Sequence, residues 1–139
     1  MQNDFSVFDD LLWRYECGGP VAVIPEEVRQ IYYEAFVDCR VLEQVVFPKK
    51  LAKIGQFAFA GCIALKRVDL PPMVEDIAQG TFEGCTALEA VTIPDSVRSI
   101  GPRAFGGCTA LKTVSVPANC RVDPTAFPPE CRVVLTNQG

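Results

Sequence analysis

A period of 23 residues governs this chain. The stretch Ile93–Pro117, I-P-D-S-V-R-S-I-G-P-R-A-F-G-G-C-T-A-L-K-T-V-S-V-P, reappears 23 residues earlier at Leu70–Pro94 and again at Phe47–Pro71. A more worn copy runs from Ile24 to Pro48. Pro25, Pro48, Pro71, Pro94 and Pro117 keep the interval, and so do Cys39, Cys62, Cys85, Cys108 and Cys131. Repetition at a fixed spacing of this size marks a solenoid, in which each unit stacks on its neighbours. One unit alone orders more backbone than its apolar side chains can offset, so the units fold only as a stack.

Each repeat has the skeleton h-P-x-x-h-x-x-I-x-x-x-A-F-x-G-C-x-x-L-x-x-V-x-h, with h apolar. Its last part predicts a short strand: Leu42, Val45 and Phe47, then Leu65, Val68 and Leu70, then Leu88, Val91 and Ile93, then Leu111, Val114 and Val116. Residues two apart in a strand share a face, so the valine and the last apolar residue point inward together. The proline that follows ends the strand, having no N–H to give. The A-F-x-G-C segment predicts a turn or helical turn on the opposite side. Gly61, Gly84 and Gly107 there supply a positive φ, and Asp38 stands in for glycine in the first coil as a residue that tolerates it.

The ends depart from the pattern. Residues 1–20 form a separate N-terminal cap, and 21–139 the solenoid with an irregular last coil. In the cap, Phe5, Val7, Phe8, Leu11 and Leu12 have the spacing of a short amphipathic helix with Asn3 or Asp4 as N-cap. Trp13 and Tyr15 then lead into the turn signal C-G-G-P. In the first coil Tyr32 and Tyr33 replace Gly55-Gln56 of the second and Gly101-Pro102 of the fourth. With Val37 and Phe57 they make an apolar patch on the side away from the strands, open to contact with the cap or to a partner. In the last coil Val122 and Phe127 come one residue early and Pro128-Pro129 restores the phase. Arg132 to Thr136 predicts a closing strand.

Seven cysteines without a histidine or a C-x-x-C pair fit neither a zinc site nor a closed disulfide framework. Recurring once per coil, five of them are expected as free buried thiols acting as small hydrophobes, with Cys17 and Cys120 outside that column. Catalysis is not expected: histidine is absent, the glycines form no phosphate loop, and no base is placed to activate a thiol. No metal or cofactor is called for. A net charge of −4 gives a phosphate backbone little to hold. Apolar runs are broken too often to cross a membrane. With no export signal visible, a cytoplasmic location is expected if Met1 is the native start; the alternative is the cell surface or secretion.

Residues one period apart lie above one another, which turns the charges into columns. Glu43, Lys66, Glu89 and Lys112 alternate in sign, and Glu26–Lys49, Glu27–Lys50, Lys53–Asp76 and Glu75–Arg98 are expected to pair across coils. Two columns on the strand face remain for a partner: Gln44, Arg67, Ala90 and Thr113, and beside them Val46, Asp69, Thr92 and Ser115. Repeat proteins use such surfaces to bind other proteins.

The skeleton resembles the BspA-type leucine-rich repeat. It reads I-G-Q-F-A-F-A-G-C-I-A-L-K-R-V-D-L-P-P-M-V from Ile54 to Val74 and I-A-Q-G-T-F-E-G-C-T-A-L-E-A-V-T-I-P-D-S-V from Ile77 to Val97. From Ile100 to Pro117 it reads I-G-P-R-A-F-G-G-C-T-A-L-K-T-V-S-V-P. Tyr32 and Ala78 depart from the usual Gly, and Thr81 from the usual Ala. The resemblance implies a bacterial repeat solenoid of about five coils, with a parallel sheet on the concave face and turns on the convex one. It also implies a protein-binding role, often at a cell surface. Hence the expected function is a non-catalytic protein-interaction module; a surface adhesin and a structural spacer are the alternatives.

Overall fold

The computed structural model describes residues 4–136. Among them every regular element is a short β-strand, and the chain winds as a solenoid whose coils follow the sequence period. A hairpin, β1 (Phe5–Phe8) and β2 (Leu11–Tyr15), precedes β3 (Val21–Val23) and β4 (Gln30–Ile31) of the first coil. The following coils supply β5 (Gln44–Val46) and β6 (Lys53–Ile54), β7 (Arg67–Asp69) and β8 (Asp76–Ile77), and β9 (Ala90–Thr92) and β10 (Ser99–Ile100). Then come β11 (Thr113–Pro117), β12 (Arg121–Val122) and the closing strand β13 (Arg132–Thr136).

The strands predicted from L-x-x-V-x-h form the first ladder. β3, β5, β7 and β9 pair parallel, with Val21 beside Gln44, Gln44 beside Arg67 and Arg67 beside Ala90. The ladder is interrupted after β9, and β11 pairs instead with β13 as a separate two-stranded sheet. A second ladder, invisible in the repeat pattern, joins the two-residue strands around the repeated isoleucine. One part has the order β1-β2-β4-β6 and the other β8-β10-β12. Ile31, Ile54, Ile77 and Ile100 point into the core from it. Two-residue strands carry too little alternation to be read from sequence.

The turns are bonded as well. The N–H of Phe36 donates to the carbonyl of Ala58 (2.7 Å), Phe59 to Thr81 (2.8 Å), Phe82 to Ala104 (2.8 Å) and Phe105 to Ala126 (2.7 Å). Each turn also repeats a positive φ at the expected position, Asp38 (58°), Gly61 (77°), Gly84 (79°) and Gly107 (75°). A second such position, one turn earlier, holds Glu34, Phe57, Gly80 and Arg103. Glycine stands at just one of these, so composition does not reveal it.

Inside the turns runs one column of aromatic rings. Phe36, Phe59, Phe82, Phe105 and Phe127 stack at centroid separations of 4.5, 5.3, 5.3 and 5.0 Å, nearly parallel throughout. Tyr15 of the hairpin stacks on Phe36 at 4.8 Å, and Phe5 lies over Tyr15 at 4.9 Å. The expected advance in the last coil is real, with Val122 beside Ile100 and Phe127 meeting Phe105, but Pro128-Pro129 does not restore the phase: Arg132 pairs with Thr113, a shorter step back than the period.

Two sequence expectations fail at the N-terminal end. Residues 5–15 form an antiparallel hairpin turning at Asp9 and Asp10, with Asp9 at φ 55°, and not a helix. The register slips between Ser6 and Val7, which puts both Leu12 and Tyr15 into the core. A helix could not extend a ladder; β2 does, pairing parallel with β4 and sending the N–H of Tyr15 to the carbonyl of Ala35. Nor is the thiol column uniformly free. Cys39 is joined to Cys17 by a disulfide that ties the cap to the first coil. That bond gives Cys17, outside the column, its place. Cys62, Cys85 and Cys108 are free and buried. Each donates its S–H to the carbonyl of the phenylalanine one coil back: Phe36 (3.2 Å), Phe59 (3.2 Å) and Phe82 (3.1 Å).

Phe82→Ala, in the middle of the ring column, is expected to lower unfolding free energy by about 3–5 kcal/mol in urea titration, while exposed Phe8→Ala changes it by under ~0.5 kcal/mol. Cys17→Ala, which opens a loop of sequence separation 22, should cost about 3 kcal/mol in the same assay, without the buried cavity that a change at Cys39 would leave.

Candidate functional site

On the outward face of the first ladder the side chains at alternate strand positions meet solvent. Val21 is 50% exposed, Val23 61% and Val46 40%. They form an apolar strip at the N-terminal end of the sheet, with Gln44 beside it. Val21 and Val23 occupy the same columns as the candidate residues. The sequence reading missed them because the first coil is the most diverged; their register one period before Gln44 and Val46 was the signal that identifies them.

Next along the face lies a small polar network. The Arg67 Nε donates to Asp69 Oδ2 (3.0 Å), and the Thr92 hydroxyl donates to Asp69 Oδ1 (2.7 Å) from the following coil. The Arg67 guanidinium bonded to it, helped by Thr92, holds the Asp69 carboxyl below its ordinary range. A depressed folded-state value means the pairing is intact above the ordinary carboxylate range and is lost only as pH falls through the lowered value. Both side chains remain largely exposed, so the pair contributes little to stability and mainly fixes the geometry of the face. Val21, Gln44, Arg67 and Asp69 line a shallow recess of about 280 Å³.

Of the eight candidates, six share this sheet: Gln44, Val46, Arg67, Asp69, Ala90 and Thr92. Thr113 and Ser115 belong to the β11–β13 sheet and stand across a cleft from Ala90 and Thr92. The anticipated columns of alternating charge do not close into ion pairs among the described residues. The close ion pairs are Arg14–Glu16 (2.8 Å), Arg67–Asp69 (3.0 Å) and Arg103–Glu83 (2.6 Å). Long exposed side chains gain too little from closing to overcome their lost freedom, and Lys112 donates to the carbonyl of Thr109 instead.

The thiols are placed for packing. Burial pushes the Cys108 thiol up to about 12, and the side-chain interaction of Cys85 with the neighbouring Cys62 sulfur, followed by burial, raises Cys85. A thiol in that state is a poor nucleophile at neutral pH. Among the described residues no group of three or more His, Cys, Asp or Glu is arranged to hold a metal ion, and no helix is long and apolar enough to cross a membrane.

Residues 15–131 match the BspA-type leucine-rich repeat region in six copies. The chain belongs to that family. No curated protein matches the sequence. Among solved structures, this BspA-type chain is similar to a leucine-rich repeat protein of T. pallidum, 30% identical with a TM-score of 0.76, over 81% of this chain and 55% of that one. A leucine-rich repeat protein of Bacteroides ovatus is 31% identical with a TM-score of 0.78, over 91% of this chain and 36% of that one. A leucine-rich cell surface protein of Faecalibacterium prausnitzii is 32% identical with a TM-score of 0.61, over 84% of this chain and 38% of its own. The chain thus spans about half or less of the length of these bacterial relatives.

Under non-reducing conditions, complete unfolding should expose five titratable thiols, rising to seven after reduction, as counted with a chromogenic disulfide reagent. In the native protein Cys62, Cys85 and Cys108 should stay unlabelled while the half-buried Cys120 and Cys131 react slowly.

Proposed function

We propose that this chain is a non-catalytic protein-interaction module that binds a protein partner across the first-ladder face, centred on Val21, Val23 and Val46. The observation that carries this reading is the valine strip itself. Three apolar side chains stand in solvent on a flat, rigid sheet, where a repeat needs only polar ones. The Arg67–Asp69–Thr92 network beside it gives the polar rim of a protein interface: charges already paired with each other, oriented, and half available to a partner. The family supports the same reading, since its members are built as extended surfaces.

The location we favour is outside the cytoplasm, in place of the cytoplasmic alternative. The Cys17–Cys39 disulfide suits an oxidising compartment, and one relative at 32% identity is described as a cell surface protein. On this reading the chain acts as an adhesive segment at the surface of a bacterial cell.

Affinity capture with the immobilised protein, followed by titration of whatever protein is retained, tests the proposal. Val46→Glu should weaken binding by about 100-fold, since a charge is then buried at the centre of the contact. Arg67→Ala combined with Asp69→Ala should weaken it roughly tenfold at the rim. Tyr32→Ala with Tyr33→Ala, on a different face, should leave it unchanged. Binding indifferent to Val46→Glu would remove the valine strip from the interface.

A further inference from the structure

A second site lies on the other ladder, away from the valine strip and independent of the reading above. Tyr32 and Tyr33 follow β4 and are 52% and 48% exposed, so the cap does not cover them. Their rings meet edge-on at 6.5 Å, and Tyr33 is held edge-on against Phe57 at 6.3 Å. Together with Leu11 of the cap they wall a recess of about 460 Å³, within the usual range for small-ligand sites. The repeat makes room for them at one place. A Cβ on Gly55 would lie 2.7 Å from the Tyr33 nitrogen, so glycine alone lets the second coil approach the two tyrosines this closely.

Polar groups from three successive coils line the same recess: Gln30 on β4, Lys53 on β6 and Asp76 on β8. It spans the point where the second ladder is interrupted, between β6 and β8. Lys53 and Asp76 form no ion pair with each other, and the Lys53 ammonium and Gln30 amide have no hydrogen-bond partner among the described residues. Asp76 accepts from Ser99 through one oxygen (2.5 Å) and keeps its other oxygen for a ligand.

This chemistry selects by exclusion. An anionic ligand would meet Asp76, and a cationic one would meet Lys53. A purely apolar ligand would make no use of the exposed ammonium, carboxylate and amide at its rim. A neutral ring with one apolar face and a rim of hydroxyls satisfies all of them. Its C–H face lies on a tyrosine ring, and its hydroxyls accept from Lys53 and Gln30 and donate to Asp76. We infer that the Tyr32–Tyr33 recess is a binding site for a neutral pyranose of an oligosaccharide.

Saturation-transfer NMR on the intact chain tests this. The probes are neutral tetrasaccharides built from glucose, N-acetylglucosamine, mannose or galactose, with a heparin tetrasaccharide and a lysine-rich peptide as charged comparators. The expected result is transfer to the ring C–H protons of at least one neutral probe at millimolar concentration, and none to the comparators. Tyr32→Ala with Tyr33→Ala should raise its Kd by at least about tenfold. Tyr32→Phe with Tyr33→Phe, which keeps the rings, should restore most of the affinity, so that loss in the alanine variant is not mistaken for misfolding. Lys53→Met should weaken binding, and Arg67→Ala should leave it unchanged, separating this site from the valine strip. Silence from every neutral probe, preference for heparin or the peptide, or a Kd unmoved by the double alanine change would overturn the inference.

Discussion

Hydrogen bonding from one coil to the next is the constraint from which the rest follows. No coil of this chain can satisfy its own backbone: its strands are short and its turns leave amides pointing along the solenoid axis. Those groups find partners only in the neighbouring coil, as between Phe59 and Thr81 or Lys53 and Arg29. Once that register is set, like side chains fall on like. The phenylalanines stack because their backbones are already bonded, and the thiols reach the phenylalanine carbonyls for the same reason. Cysteine suits its position because it fills a small volume and still offers one donor to a buried carbonyl.

The parts legible in the sequence are those in which the period and a specific residue type coincide. The strands ending in proline, the positive-φ turn at Asp38 and its glycine counterparts, and the ring column all repeat with an unmistakable residue, and all are found. Where the backbone needs something that any residue can supply, the sequence is silent. Glu34, Phe57 and Arg103 share a left-handed conformation with Gly80 although nothing in their chemistry asks for it. The hairpin is hidden for a related reason. Phe5, Val7, Phe8, Leu11 and Leu12 satisfy helical spacing, but tertiary demand for a strand beside β4 outweighs that periodicity, and the Asp9-Asp10 turn is the one local cue to it.

The candidate surface was readable in part. Column arithmetic located Gln44, Val46, Arg67 and Asp69 on one face, because a strand's alternation leaves no choice about which residues point outward. It did not reveal that Arg67 pairs within its own strand and that Thr92 completes the pair, since pairing depends on side-chain reach and not on register. Cys17 was unreadable for a different reason. Its partner Cys39 carries the same label as the free thiols stacked beyond it, and only the path of the cap shows that the first of the column lacks a preceding coil to bond to and meets another sulfur instead.

The interruptions in the two ladders do not fall between the same coils. On one side the break separates β9 from β11; on the other it separates β6 from β8, while the turns remain bonded across both. The arrangement is that of brickwork with staggered joints. Among the described residues no cut perpendicular to the axis runs along unbonded edges alone, so these coils contain no ready-made hinge, and the first-ladder face and the tyrosine recess keep a constant spacing as the two sides of a single stiff rod.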